Sequence, residues 1–124
     1  MIAKIAAIAL GGSVGAVLRY AVYLLFGRAH EQAFPWHTIL VNLVGSFLIG
    51  LLWGLFDRIY VSPGVRLFLF IGVLGSFTTF STFAFETFNL GRGGNITYGL
   101  IYVLTTNIFG IGLAAGGYYL SKLF

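Results

Sequence analysis

The sequence has 124 residues, of which 59% are hydrophobic, 18% aromatic and 8% charged, with a formal net charge of +4 and no cysteine. A soluble domain carries about a quarter of its residues as charges; seven basic and three acidic side chains cannot cover a particle of this size. The composition excludes a water-soluble globule, a disordered chain and a disulfide-stapled secreted scaffold, and it removes thiolate chemistry. The basic residues fall singly along the chain, which argues against a phosphate-binding surface. The expected solvent is lipid, with the whole chain forming one integral membrane domain over residues 1–124.

A helix that crosses a bilayer needs about 20 predominantly apolar residues. Four stretches meet that requirement, at approximately 2–26, 38–56, 67–90 and 95–121. The first has Lys4 near its start and carries Arg19 within it. Its apolar pattern continues past Gly15-Ala16 to Phe26, so it reads as a span and not as a cleaved secretory signal. Arg19 either reaches for the interface or attracts anions to a vestibule. The first connector holds Arg28, His30 and Glu31, with His37 just before the second span; these read as solvated residues, as does the Asp57/Arg58 pair after that span.

The second span has no charge. Its Asn42 lies four residues after Thr38 and on the same helical face. An amide there locks two helices together or donates hydrogen bonds to an anion. The third span has Glu86 as its one charge and a dense polar run at its middle: five of the seven residues from Ser76 to Thr82 bear hydroxyls. Three threonines and the preceding Gly72 and Gly75 lower helix propensity. An unwound turn would free carbonyls to hold a small cation; the alternative is an unbroken helix with hydroxyls bonded to their own i−4 carbonyls. Phe77, Phe80 and Phe83 recur every three residues. Such a stripe ordinarily faces lipid or core; its positive ring edges, alternating with hydroxyl donors, would also suit a dehydrated anion. The fourth span carries Tyr102, Thr105, Thr106 and Asn107, with Tyr102 and Thr106 on one face.

With four spans, Lys4, Arg58, Arg66 and Lys122 share one side of the membrane, against Arg28 and Arg92, with Arg19 within reach of that second side. This weak bias permits insertion in both orientations or in one. The 18 glycines, about twice the usual share, recur at helical spacing as Gly11/Gly15, Gly12/Ala16, Gly50/Gly54 and Gly112/Gly116. Close packing of small residues drives association in lipid; any one pair is as well explained by packing within a subunit, while together they favour a tight oligomer, a homodimer. Two isolated histidines make no metal site. The chain holds no nucleophile–base set, phosphate loop or paired carboxylates, and reads as a non-enzyme.

Gly11-Gly-Ser-Val-Gly-Ala-Val-Leu-Arg-Tyr20, Asn42-Leu-Val-Gly-Ser-Phe-Leu-Ile-Gly50 and Gly75-Ser-Phe-Thr-Thr-Phe-Ser-Thr-Phe83 resemble, in order and spacing, the motifs of the Fluc-type (CrcB) fluoride channels. The resemblance covers essentially the whole chain, and its third motif is the specific one. It implies an all-α protein with four transmembrane helices per subunit and a third helix broken in mid-span. It also implies an antiparallel, dual-topology homodimer with two pores in the cell (inner) membrane, through which fluoride leaves the cytoplasm passively. A structural sodium ion at the dimer centre would be held by the backbone carbonyls of Gly75 and Thr78. Phe80 and Phe83 would be the pore phenylalanines, Asn42 the pore asparagine and Arg19 the vestibule arginine. Thr79, Ser81, Thr82 and Glu86 would form a polar track, with Thr38, Tyr102 and Thr106 completing the lining. A serine that the family often carries about one turn beyond Thr106 is replaced within Phe109-Gly110-Ile111. Two other readings stand beside this one: a proton-coupled small multidrug-type exporter, whose deep carboxylate the first two spans lack, and a non-transporting membrane scaffold.

Overall fold

The computed structural model describes residues 1–27 and 34–124; Arg28, His30 and Glu31 lie outside the described residues. Among the described residues, four helices are long and apolar enough to cross a membrane: α1 (Ile2–Gly27), α2 (Trp36–Phe56), α3 (Pro63–Arg92) and α4 (Ile96–Ser121). The chain is an all-helical, multi-pass membrane protein. α2 packs along α4, and α1 packs along the first half of α3. The 26 residues of α4 rise about 39 Å at 1.5 Å each, more than a bilayer core of about 30 Å, so this helix tilts or projects.

Two helix starts differ from those expected from hydropathy. α2 begins at Trp36, directly after Pro35, and so takes in His37. α3 begins at Pro63 because Ser62 caps it, its Oγ accepting from Val65 N at 3.4 Å. Serine before a proline at the first helical position is a helix start, although the same residues suit a turn. Leu67–Leu74 then winds as a π-helix. Arg66 turns back and donates to the Phe56 carbonyl at 2.7 Å, satisfying an end carbonyl of α2.

Glycine allows these helices to touch backbone to backbone. A Cβ on Gly11 would run into the Phe68 carbonyl of α3, and one on Gly50 into the Ala114 carbonyl of α4. The pairs Gly11/Gly15 and Gly50/Gly54 are therefore spent inside one subunit, whereas Gly112 and Gly116 face open space. Asp57 and Arg58 are not simply solvated. Arg58 donates to the Ser121 and Phe124 carbonyls at the end of α4. Asp57 Oδ2 accepts from Lys122 Nζ at 3.5 Å and from the Tyr118 hydroxyl at 3.3 Å.

The surface is far more apolar than that of a soluble protein, and polar side chains share the interior with Ile39, Val41, Leu74 and Phe83. Leu18, Leu25, Ile71, Phe85, Ile108 and Phe109 are among many exposed large apolar side chains, while Thr38, Thr79, Tyr102 and Ser121 are buried. Lipid replaces water around such a surface, so polar groups have reason to gather inside.

Candidate functional site

The hydroxyl-rich middle of α3 contains a local departure from helical geometry. Helical turns end at Phe77 and resume at Phe80. Between them Thr78 (φ −83°, ψ 159°) and Thr79 (φ −149°, ψ 118°) are extended. Asn42 of α2 fills the backbone bonding lost there. Its Nδ2 donates to the Thr79 carbonyl at 3.1 Å, and its Oδ1 accepts from the Thr79 N–H at 2.8 Å. Thr79 also caps the second half, Phe80–Arg92, through Oγ1, which accepts from Thr82 N at 3.2 Å. Thr78 bonds backward through Oγ1 to the Leu74 carbonyl at 2.9 Å.

This arrangement changes the standing of two carbonyls. In a continuous helix the Gly75 carbonyl would accept from Thr79 N, and the Thr78 carbonyl from Thr82 N. Those two N–H groups are taken by Asn42 Oδ1 and Thr79 Oγ1. Gly75 is exposed on the surface of the single chain.

Two cavities meet at Thr79. The first, of about 380 Å³, is lined by Asn42, Gly75, Thr78, Thr79, Phe80, Phe83 and Thr106, among others. Phe80 is 79% exposed and Phe83 only 9%; their ring centroids are 5.9 Å apart. Phe83 meets Tyr102 edge-on at 5.0 Å and 66°. Thr106 Oγ1 is buried and has no hydrogen-bond partner among the described residues. The three-residue phenylalanine repeat does not run as one helical stripe, because the extended residues separate Phe77 from Phe80.

The second cavity, of about 280 Å³, is lined by Arg19, Tyr20, Tyr23, His37, Thr38, Thr79 and Thr82, among others. Beside it stands Glu86, engaged by two helices at once. Thr38 Oγ1 donates to Oε2 at 3.0 Å, and the Tyr102 hydroxyl donates to Oε1 at 2.9 Å. Thr38 and Tyr102 are both buried. The structure thus gathers Asn42, Thr79, Phe80, Phe83, Thr106, Gly75 and Thr78 around one cavity, and Arg19, Thr38 and Thr82 around the other. Ser81 stands apart on an exposed face.

His37 is the residue that sequence reasoning missed. It is not a solvated loop residue: it lies in the first turn of α2, with Nε2 3.6 Å from Glu86 Oε2. Its partner is 49 positions away in sequence, so no local pattern signals the pair. The nearest available hint was its position one residue before Thr38. At the fourth helix, a Cβ on Gly110 would approach Ser46 Oγ at 3.7 Å. A hydroxyl from α2 therefore lies beside the place where the expected serine is replaced.

Known proteins resemble this chain closely. A family model described as "CrcB-like protein, Camphor Resistance (CrcB)" matches residues 6–118. A protein of Desulfotalea psychrophila named fluoride-specific ion channel FluC is 44% identical over 120 residues, covering 97% of this chain and 93% of its own. The protein of that name from Thermus thermophilus is 44% identical over 113 residues, 91% of this chain and 90% of its own. The one from Magnetococcus marinus is 47% identical over 108 residues, 83% and 85% respectively. Match length and identity agree: the chain belongs to the CrcB-like protein family.

Proposed function

We propose that this protein is a fluoride-selective channel that lets fluoride leave the cytoplasm passively across the cell (inner) membrane. The observation that carries the reading is the cavity around Thr79, where ring edges, hydroxyls and an amide converge on an interruption of α3. Fluoride is small and strongly hydrated, so a path must offer replacement donors along its length. Each must be weak enough for the ion to leave again. Asn42 and Thr106 supply polar groups to the first cavity, and the Phe80 and Phe83 ring edges carry partial positive charge. Arg19, Thr38 and Thr82 extend the polar lining toward the second cavity, with the Glu86 carboxylate bonded beside it. The relatives named as fluoride-specific ion channels, each matching more than four fifths of the chain, support the same conclusion.

The working unit in this reading is an antiparallel, dual-topology homodimer with two pores. The weak charge bias, the exposed Gly75 and the unfilled face at Gly112 and Gly116 support a second copy. The break in α3 then has a purpose beyond the pore. The Gly75 and Thr78 carbonyls, with their helical N–H partners engaged elsewhere, are the hard oxygen donors that a sodium ion takes. Bound there, sodium would supply fixed positive charge and a tie between backbone segments. Asn42 and Thr79 occupy the N–H groups from which those carbonyls would otherwise accept. Ser81, exposed on the single chain, is assigned to the polar track through the partner face.

A proton-coupled exporter needs a carboxylate free to exchange protons and substrate in a deep binding chamber. Glu86 is instead bonded by Thr38 and Tyr102, and this favours the channel. The test is fluoride efflux from liposomes carrying the purified chain, read by a fluoride electrode with chloride as the control. Rapid fluoride loss with little chloride loss is expected. Retention of fluoride by well-assembled protein would overturn the channel.

A further inference from the structure

His37 is wedged between two other helices. Its Nε2 is 3.6 Å from Glu86 Oε2 of α3, and its side chain is 25% exposed. On the α1 side its ring meets Tyr23 edge-on, at 5.1 Å and 77°. Nδ1 lies against the last turn of α1, where a Cβ on Gly27 would come within 3.3 Å of it. Among the described residues, the titratable and charged groups around it are Arg19, Tyr20 and Tyr23 from α1 and Glu86 from α3. Tyr102 of α4 reaches the same carboxylate from its far side, through Oε1. The imidazole therefore stands beside the second cavity and touches the Glu86 oxygen that also accepts from Thr38.

A carboxylate beside an anion path repels the anion it is meant to pass. Thr38 and Tyr102 hold Glu86 in place with neutral donors, which orient its charge without cancelling it. Among the described residues, His37 is the neighbour within salt-bridge reach of Oε2, and imidazole is the side chain whose ordinary charge change falls between about pH 5 and 8. As imidazolium it offsets the Glu86 charge and adds to the positive field of Arg19 at the cavity, which concentrates anions there. As neutral imidazole it leaves Arg19 to act alone.

We infer that His37 is a positioning residue of the anion path, bracing Glu86 and offsetting its charge when protonated, so that fluoride conduction rises as pH falls. The inference rests on the fluoride-channel reading above. It is tested with the full chain in liposomes held at matched internal and external pH, with fluoride efflux measured across the range. Leak of hydrogen fluoride through lipid also grows with acidity; it is measured in protein-free vesicles and subtracted. The wild-type chain is expected to conduct roughly threefold or more faster at about pH 6 than at about pH 8. His37→Gln should give a flat profile at the slow level. His37→Lys, permanently charged, should give a flat profile at or above the fast level.

Wild-type conduction that does not change with pH would overturn the inference, whether or not either variant assembles. So would a His37→Gln variant that keeps the wild-type slope. In both cases fluoride still flows and the channel reading stands. Wild-type vesicles that hold fluoride at every pH would overturn the channel reading, and this inference with it.

Discussion

Asn42 and Thr79 exchange two hydrogen bonds across 37 residues of sequence: the amide nitrogen donates to the threonine carbonyl at 3.1 Å, and the amide oxygen accepts the threonine N–H at 2.8 Å. One side chain thereby does for an extended residue what the next helical turn does for its neighbours. In lipid no water is available for that task, and irregular backbone persists only where protein supplies the bonds. Both functional groups of Asn42 are matched to Thr79, and this explains why an amide is found there.

Replacing Asn42 tests the match. Asn42→Ala leaves a carbonyl and an N–H without partners, at about 1–3 kcal/mol for each buried group. Asn42→Asp keeps an acceptor for the N–H but places a carboxylate against the Thr79 carbonyl. Both variants are expected to lower the melting temperature of the purified protein and to slow fluoride efflux, with Asp worse in efflux because it adds negative charge to the cavity. An Asp variant conducting as fast as the wild type would remove Asn42 from the path.

Phe80 and Phe83 line the same cavity and differ in burial, so their truncations separate stability from conduction. Phe83 is 9% exposed and packs on Tyr102; Phe83→Ala should cost about 3–5 kcal/mol of subunit stability. Phe80, 79% exposed in the single chain, should cost the subunit far less. Fluoride efflux is expected to fall severely in both. Phe80→Ala is the cleaner probe: assembled protein with wild-type flux would show that ring edges play no part in conduction.

The glycines make the opposite contrast. Gly50 sits against the Ala114 carbonyl, while Gly112 has open space around it. Gly50→Ala should separate α2 from α4 and greatly reduce the yield of folded protein. Gly112→Ala should leave the subunit's helical content and expression near the wild-type level. Equal tolerance at the two positions, read by circular dichroism and expression yield, would mean that the α2–α4 contact is not the packing that holds the subunit.

The four spans were legible because apolar runs of about twenty residues have few other uses. The polar centre of α3 was legible because hydroxyls are costly at that depth and threonine is a poor helix former. Other features depended on contacts that sequence does not display. Ser62-Pro63 suits a turn and a helix start equally well until the next residues pack. His37 lay just outside the hydropathy window, and its relation to Glu86 exists only once α2 meets α3. Asn42 left two meanings open, helix lock or anion donor. The structure shows the lock, two hydrogen bonds to the interrupted backbone, and places Asn42 on the cavity wall, where the efflux test above decides the second meaning.

Thr106 offers a last test, because its hydroxyl is buried without a hydrogen-bond partner among the described residues while lining the cavity with Asn42 and Phe83. A hydroxyl in that condition costs the resting protein about 1–3 kcal/mol relative to one that is paired. Thr106→Val keeps the shape and removes the polar atom. If the hydroxyl exists to greet a passing anion, the valine variant should melt at the same temperature as the wild type or higher, yet lose fluoride several-fold more slowly. A purely structural hydroxyl predicts another pair of results, lower stability and unchanged efflux. Thermal melts and electrode traces on one preparation decide between them, since the two accounts assign opposite signs to stability and different outcomes to flux.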